Sequence, residues 1–221
     1  MDQDQSEGRV LLIDKPYRWT SFDVVKKVRK SSPHKKVGHA GTLDPLATGL
    51  LILCTGKMTK KISDFQDQEK EYTGIFEIGK TTPSVDLETA FDSESPYDHV
   101  SDEQILKTVT SFIGIIEQVP PVYSAVKVNG ERLYEKARKG ENPEIKSKQV
   151  HVREFEITLI QLPEVHFRIV CSKGTYIRSL VRDFGIQLSV GAYLKELRRV
   201  RIGNYHVDQA EGVSKEKFIF S

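Results

Sequence analysis

Cysteine is nearly absent from this 221-residue chain: Cys54 and Cys171 are its two thiols. Each closes an aliphatic run, LLIL before Cys54 and RIV before Cys171, so they read as small buried hydrophobes. Two such residues exclude a disulfide framework and point to a reducing cytoplasm. The six histidines (34, 39, 99, 151, 166 and 206) are scattered. No Cys/His group has metal-ligand spacing, which argues against structural zinc. The opening MDQDQSEGRV is acidic and polar, unlike a secretory leader. No apolar stretch approaches the ~20 residues of a membrane-spanning helix. The glycine turn at Gly38-His39-Ala40-Gly41 is not followed by Gly-Lys-Ser/Thr, so nothing is built to cradle ATP phosphates.

Charge is abundant and segregated. The net charge of +2 conceals blocks of opposite sign. Val24 to Gly38 carries six basic residues (Lys26, Lys27, Arg29, Lys30, Lys35, Lys36) and no acid. Val122 to Arg153 has eight basic residues against four acids, a balance of +4. Tyr193 to Arg201 has four against one, or +3. Thr82 to Gln104 holds seven acids and no Lys or Arg. Any one run is ordinary solvated surface; three basic runs flanking candidate catalytic motifs suggest a face for a polyanion.

The apolar fraction of 38% suffices for a sizeable core. Arg9 to Ile13 reads as a buried strand stopped by Pro16. Thr20 or Ser21 caps a helix whose apolar positions are Phe22, Val25 and Val28. Leu50 to Cys54 is a buried run, and Lys57 to Phe65 suggests a helix. Glu71 to Ile78 alternates as a strand, with Tyr72, Gly74, Phe76 and Ile78 on one side. Ser101 caps a helix over Ile105 to Phe112. A short helix is expected at Leu133 to Arg138, strands at Gln149 to Leu162 and Val165 to Cys171, a helix from Thr175 to Leu188, and another over Ala192 to Val200. Strands and helices mix without a βαβ rhythm, which predicts an α+β fold with a mixed or antiparallel sheet.

The chemistry-bearing stretch is GHAGTLDPLATGLLIL, Gly38 to Leu53. Its one acid, Asp44, lies between Leu43 and Pro45. It is either a helix cap ahead of Pro45 or a carboxylate reagent in an apolar pocket. A two-carboxylate hydrolase fits poorly, because no second acid is well placed. Tyr72 is a core aromatic or a ring for stacking on a base. In CSKGTYIR, Arg178 begins a helix beside a glycine turn and shares a face with Arg182; such an arginine is solvated or holds a carboxylate in its charged form.

With RVLLIDKP upstream and CSKGTYIRSLVRDFG downstream, this block resembles the TruB family of tRNA pseudouridine synthases, from about Val10 to Gly203. The resemblance implies the pseudouridine synthase catalytic fold: a mixed, mostly antiparallel sheet flanked by helices, with a basic thumb insertion at 122–152 in one catalytic domain over 1–221. It implies Asp44 as the catalytic carboxylate, His39 at the flipped nucleotide, and Tyr72 stacking under the target base. It implies Arg178 as the partner of Asp44, Leu197 as an apolar pocket wall, and Lys15-Pro16 as the floor of the site. Lys136, Arg138 and Lys139 become RNA contacts of the thumb. The implied reaction isomerises the T-loop uridine of tRNA, position 55, with no metal, nucleotide or redox cofactor, in a cytoplasmic enzyme expected to be a monomer. Two departures stand out. Arg18 occupies a position that is often glycine in the family, and a short form lacking a C-terminal PUA domain is expected. An RNA chaperone of the same fold and a glycosidase acting on free nucleosides are the alternatives; intact Asp44, Tyr72 and Arg178 disfavour the first, and the missing second acid disfavours the second.

Overall fold

The computed structural model describes residues 8–124, 127–128, 131–133 and 145–213. In chain order the elements are β1 (Val10–Lys15), α1 (Ser21–Ser31), β2 (Val37–His39), β3 (Thr48–Thr55), a 3₁₀ turn (Gly56–Lys61), α2 (Ile62–Gln66), β4 (Lys70–Ile78), β5 (Lys80–Thr81) and β6 (Ser93–Glu94). They continue with α3 (Asp102–Thr110), β7 (Gly114–Gln118), β8 (Lys127–Val128), β9 (Glu131–Arg132), β10 (Lys148–Gln161), β11 (Glu164–Cys171), α4 (Ile177–Gln187), β12 (Ala192–Ile202), β13 (Tyr205–His206) and β14 (Glu211–Gly212). The fold is α+β. Antiparallel pairs join β1 to β3, β2 to β3, β7 to β10, β10 to β11 and β12 to β13. Parallel pairs join β1 to β14 and β12 to β3. Among the described residues, no helix is long and apolar enough to cross a membrane.

The chain divides into two compact units, one running up to Thr73 and resuming at Leu197, the other Gly74–Glu196. In the first unit, β3 supplies the core on both faces, which is why its sequence is continuously apolar. Leu51 and Leu53 pack with Ile13 and with Val24, Val25 and Val28 of α1. The alternate residues Leu50, Ile52 and Cys54 pack with Ala40, Phe65 and Ile202. Burial raises the Cys54 thiol to about 11, so it is a packed hydrophobe and not a nucleophile. Thr20 caps α1 in a capping box: its hydroxyl accepts from the Asp23 N–H, and the Asp23 carboxylate accepts from the Thr20 N–H, both at 3.0 Å. The buried stripe is Ser21, Val24, Val25 and Val28. Phe22, expected inside, is 57% exposed, because the cap at Thr20 turns it to the outer face.

In the second unit the core is aromatic. Phe76, Phe112, Phe155, Phe167 and Phe184 form a chain of ring contacts with centroids 5.1–6.3 Å apart. Phe184 belongs to α4, so this cluster seats the helix that carries Arg178. Ser101 and Gln104 cap α3 as expected.

Two expected helices differ. The segment after Thr55 is a 3₁₀ turn followed by the five-residue α2. Ala192–Ile202 is a strand, β12. Its backbone pairs with β3 at Arg198 and Arg199, and that pairing decides the matter where propensity does not. The helix expected at Leu133 to Arg138 lies outside the described residues beyond Leu133, which is fully buried.

Candidate active site

Asp44 opens a tight turn and caps no helix. Its carbonyl accepts from the Ala47 N–H at 3.1 Å, with Pro45 and Leu46 at the corner. This is the placement that Asp and Pro favour at the first two turn positions. Immediately after the turn, β3 dives into the core, so the carboxylate sits on a rigid support, half-buried at its mouth.

Three elements hold that turn. The first is Ser21, 3% exposed, which sequence reasoning weighed only as a cap. Its hydroxyl accepts from the Leu43 N–H at 2.9 Å and donates to the Leu43 carbonyl at 3.1 Å, clamping the residue before Asp44. The second is the Arg18 backbone, whose N–H donates to the Pro45 carbonyl at 2.9 Å. The third is Lys15, fully buried at the end of β1. Its ammonium donates to the carbonyls of Trp19 (2.5 Å), Pro16 (3.2 Å) and Pro45 (3.2 Å). Burial lowers its pKa to about 8; the Asp44 charge opposes that shift and the Arg199 guanidinium adds to it.

Lys15 yields a stability prediction. The unfolded chain holds this proton up to about 10.5, the folded protein only up to about 8. The cost of burying the charge is therefore fully present below pH 8 and is relieved between pH 8 and 10.5. Wild-type unfolding free energy, measured in denaturant, is expected to rise from pH 7.5 to 9.5 relative to Lys15→Met, by about 2 kcal/mol. Parallel pH curves for the two proteins would show that no buried ammonium titrates there.

His39 ends β2 opposite Leu53. Burial, then Arg199, keep its pKa below the ordinary value, while the Gly41 carbonyl opposes the shift. These influences favour the neutral imidazole over the charged one. Arg199, 1% exposed, donates Nε to the Leu50 carbonyl (2.8 Å) and Nη2 to the Gly41 carbonyl (3.1 Å). It thereby ties the His39-to-Gly41 turn to β3. Its strand passes so close to Gly49, at φ +101°, that a Cβ there would lie 2.3 Å from the Arg199 carbonyl. Leu197 lies two residues before Arg199; its carbonyl accepts from the Thr48 hydroxyl at 3.5 Å. Tyr72 sits on the buried side of β4, 8% exposed.

The first unit thus brings Lys15, His39 and Asp44 together around the turn and its support. Arg178 belongs to the second unit. Second in α4 and 3% exposed, it donates Nη1 to the Ser84 carbonyl (3.0 Å) and Nη2 to the Tyr123 carbonyl (2.9 Å). The acid that this unit sets beside it is Asp86, at 3.6 Å and itself 4% exposed. Asp86 was hidden in an acidic run read as solvated.

The third basic run also differs from expectation. Lys195 bonds Glu77 (2.6 Å) and Glu164 (2.5 Å). Arg198 grips Asp14 with two bonds, 3.0 and 2.7 Å. Arg201 pairs with Glu71 at 2.9 Å. With Arg199 buried, these cations are also committed to contacts that hold the fold together. Lys148, counted with the thumb, donates to the Gly174 carbonyl at 2.6 Å and lies 4.4 Å from the Tyr176 ring centroid, clipping the turn before α4. Lys136, Arg138 and Lys139 lie outside the described residues.

Residues 29–177 match the TruB family pseudouridylate synthase N-terminal domain. The chain belongs to the TruB family of pseudouridylate synthases. It is 56% identical over 211 residues to tRNA pseudouridine synthase B of Flavobacterium johnsoniae, covering 92% of each chain. It is 50% identical to tRNA pseudouridine synthase B of Phocaeicola vulgatus over 213 residues, 94% of this chain and 91% of that one. Among solved structures, a chain of a Cbf5-Nop10-Gar1 complex superposes with a TM-score of 0.73 at 30% identity; the match covers 95% of this chain and about half, 53%, of that one.

Proposed function

We propose that this chain converts the T-loop uridine of tRNA, position 55, into pseudouridine. The observation that carries the mechanism is the Asp44 turn: one half-buried carboxylate whose flanking residues Leu43 and Pro45 are held at their backbones by Ser21, Arg18 and Lys15. The N1–C1′ bond breaks, the uracil turns, and C5 bonds to C1′. Asp44 is the group that acts at the sugar, as nucleophile or as base. Tyr72 stacks on the extruded base, Leu197 walls it, His39 meets the flipped nucleotide, and Arg178 is the third catalytic residue. The Lys15 ammonium forms the floor. Lys136, Arg138 and Lys139, with the rest of 122–152, clasp the RNA loop through its phosphates.

The product contains every atom of the substrate, so turnover consumes neither nucleotide nor redox equivalent. A cytoplasmic monomer acting on tRNA without metal completes the reading. The test is to incubate purified protein with unmodified tRNA in excess EDTA and map pseudouridine by position. Conversion confined to the T-loop uridine is the expected result. Absence of pseudouridine, conversion at other positions only, or release of free uracil would overturn it.

A further inference from the structure

The basic run on α1 has no part in the site described above. With the preceding loop it lines a cavity of about 590 Å³: Tyr17, Arg18, Trp19, Asp23, Lys26, Lys27 and Lys30. Four cations face one acid there, a balance of +3. That acid, Asp23, is committed to the α1 cap. Lys26 and Lys30 lie one helical turn apart, about 6 Å along the axis, a spacing that suits neighbouring phosphates of one strand. The rim is aromatic: Tyr17 is 49% exposed, and the Arg18 guanidinium carbon lies 5.5 Å from the centroid of its ring.

Arg18 itself is strained. Its φ of +64° is left-handed, a region where glycine is at ease and an arginine costs about 1–2 kcal/mol. The same residue donates the N–H that holds Pro45, so the conformation is fixed by the Asp44 turn and cannot relax. A cationic side chain at a strained position, on the residue whose backbone holds the Asp44 turn, argues that the side chain itself is used.

We propose that this groove is a second RNA-binding site, in which Arg18, Lys26 and Lys30 take phosphates of the substrate strand and Tyr17 stacks on one of its bases. The proposal rests on the RNA-modifying function above and adds a contact surface on the first unit, apart from 122–152. Charge and the exposed Tyr17 ring together favour a nucleic acid strand over an acidic protein.

Binding of unmodified tRNA, measured against salt concentration, tests it. Each lost phosphate contact removes about 0.7–0.9 from the log–log slope. Arg18→Gly relieves the strain, so folding is expected to be as stable as wild type or more so, while the slope flattens by about 1 and affinity falls roughly 3–10-fold. Arg18→Lys restores the slope. The double change Lys26→Ala, Lys30→Ala flattens it by about 2. Tyr17→Leu weakens binding with the slope unchanged. Wild-type slopes for both Arg18→Gly and the double variant would overturn the proposal. Pseudouridine formation by the wild-type protein is scored separately: its absence would sink the assigned function, whereas the slopes report on the groove alone.

Discussion

Asp44→Asn is expected to fold, to bind tRNA as wild type does, and to form no pseudouridine within hours. The turn explains why the structural effect is small. It closes through the backbone bond between Asp44 and Ala47, and Ser21 grips the neighbouring Leu43, so neither bond uses the carboxylate. Asparagine is nearly the same shape and still accepts a hydrogen bond. What disappears is the negative charge, and with it any ability to attack C1′ or accept a sugar proton. A positioned base contributes about 10²–10⁴-fold, and a nucleophile more, so a loss of about 10⁴-fold or greater is expected in single-turnover experiments. The Asp44 charge also raises the pKa of Lys15. Removing it is therefore expected to move the pH window of the Lys15 effect downward, a change readable in the same denaturation series. Turnover by Asp44→Asn within tenfold of wild type would remove Asp44 from its role.

How far these features were legible in the sequence depends on how local their causes are. The β3 run announces burial on both faces by unbroken aliphatics, and the caps at Thr20 and Ser101 by a polar residue three before an Asp or Gln. Those signals span a few residues. β12 carries no such signal: its buried positions, Ala192, Tyr193, Leu194, Arg199 and Ile202, follow neither period 2 nor period 3.6, and only pairing with distant strands makes it a strand. Arg199 reads as surface because arginine usually is. Its burial depends on two backbone carbonyls, of Leu50 and Gly41, about 150 residues upstream. Ser21 shows the same limit at shorter range: its cap-like position was legible, but the Leu43 backbone it clamps was not. The Asp44 candidate and its Lys15 support were named through their motifs, while the Ser21 clamp on Leu43 and the Arg18 bond to Pro45 are visible only in the fold.

Arg178→Lys and Asp86→Asn are each expected to lower the single-turnover rate by about 10²-fold or more while leaving tRNA affinity within a few-fold, and their effects are expected not to add. Arg178 spans two carbonyls, of Ser84 and Tyr123, with separate nitrogens of one planar group, and Asp86 lies beside it. An ammonium is a point donor and cannot reproduce that fork. The loop it holds is under tension. Val85, a β-branched residue, sits at φ +61°, an arrangement that costs about 1–3 kcal/mol and persists only when overdetermined. The constraints are visible: the hydroxyls of Thr82 and Ser84 donate to the Asp86 carbonyl at 2.7 and 3.0 Å, the Ser84 N–H donates to Thr89, and the Asp86 carboxylate accepts from the Glu88 N–H. Asp86 thus does two jobs, bracing the loop and facing the guanidinium. Asparagine keeps an oxygen for Glu88 but loses the charge beside Arg178. If the pair acts as one device for setting the arginine, the double variant will be about as slow as the slower single variant. Rate losses that multiply would show that Asp86 and Arg178 work independently. A fall in affinity matching the fall in rate would instead assign both residues to holding the loop.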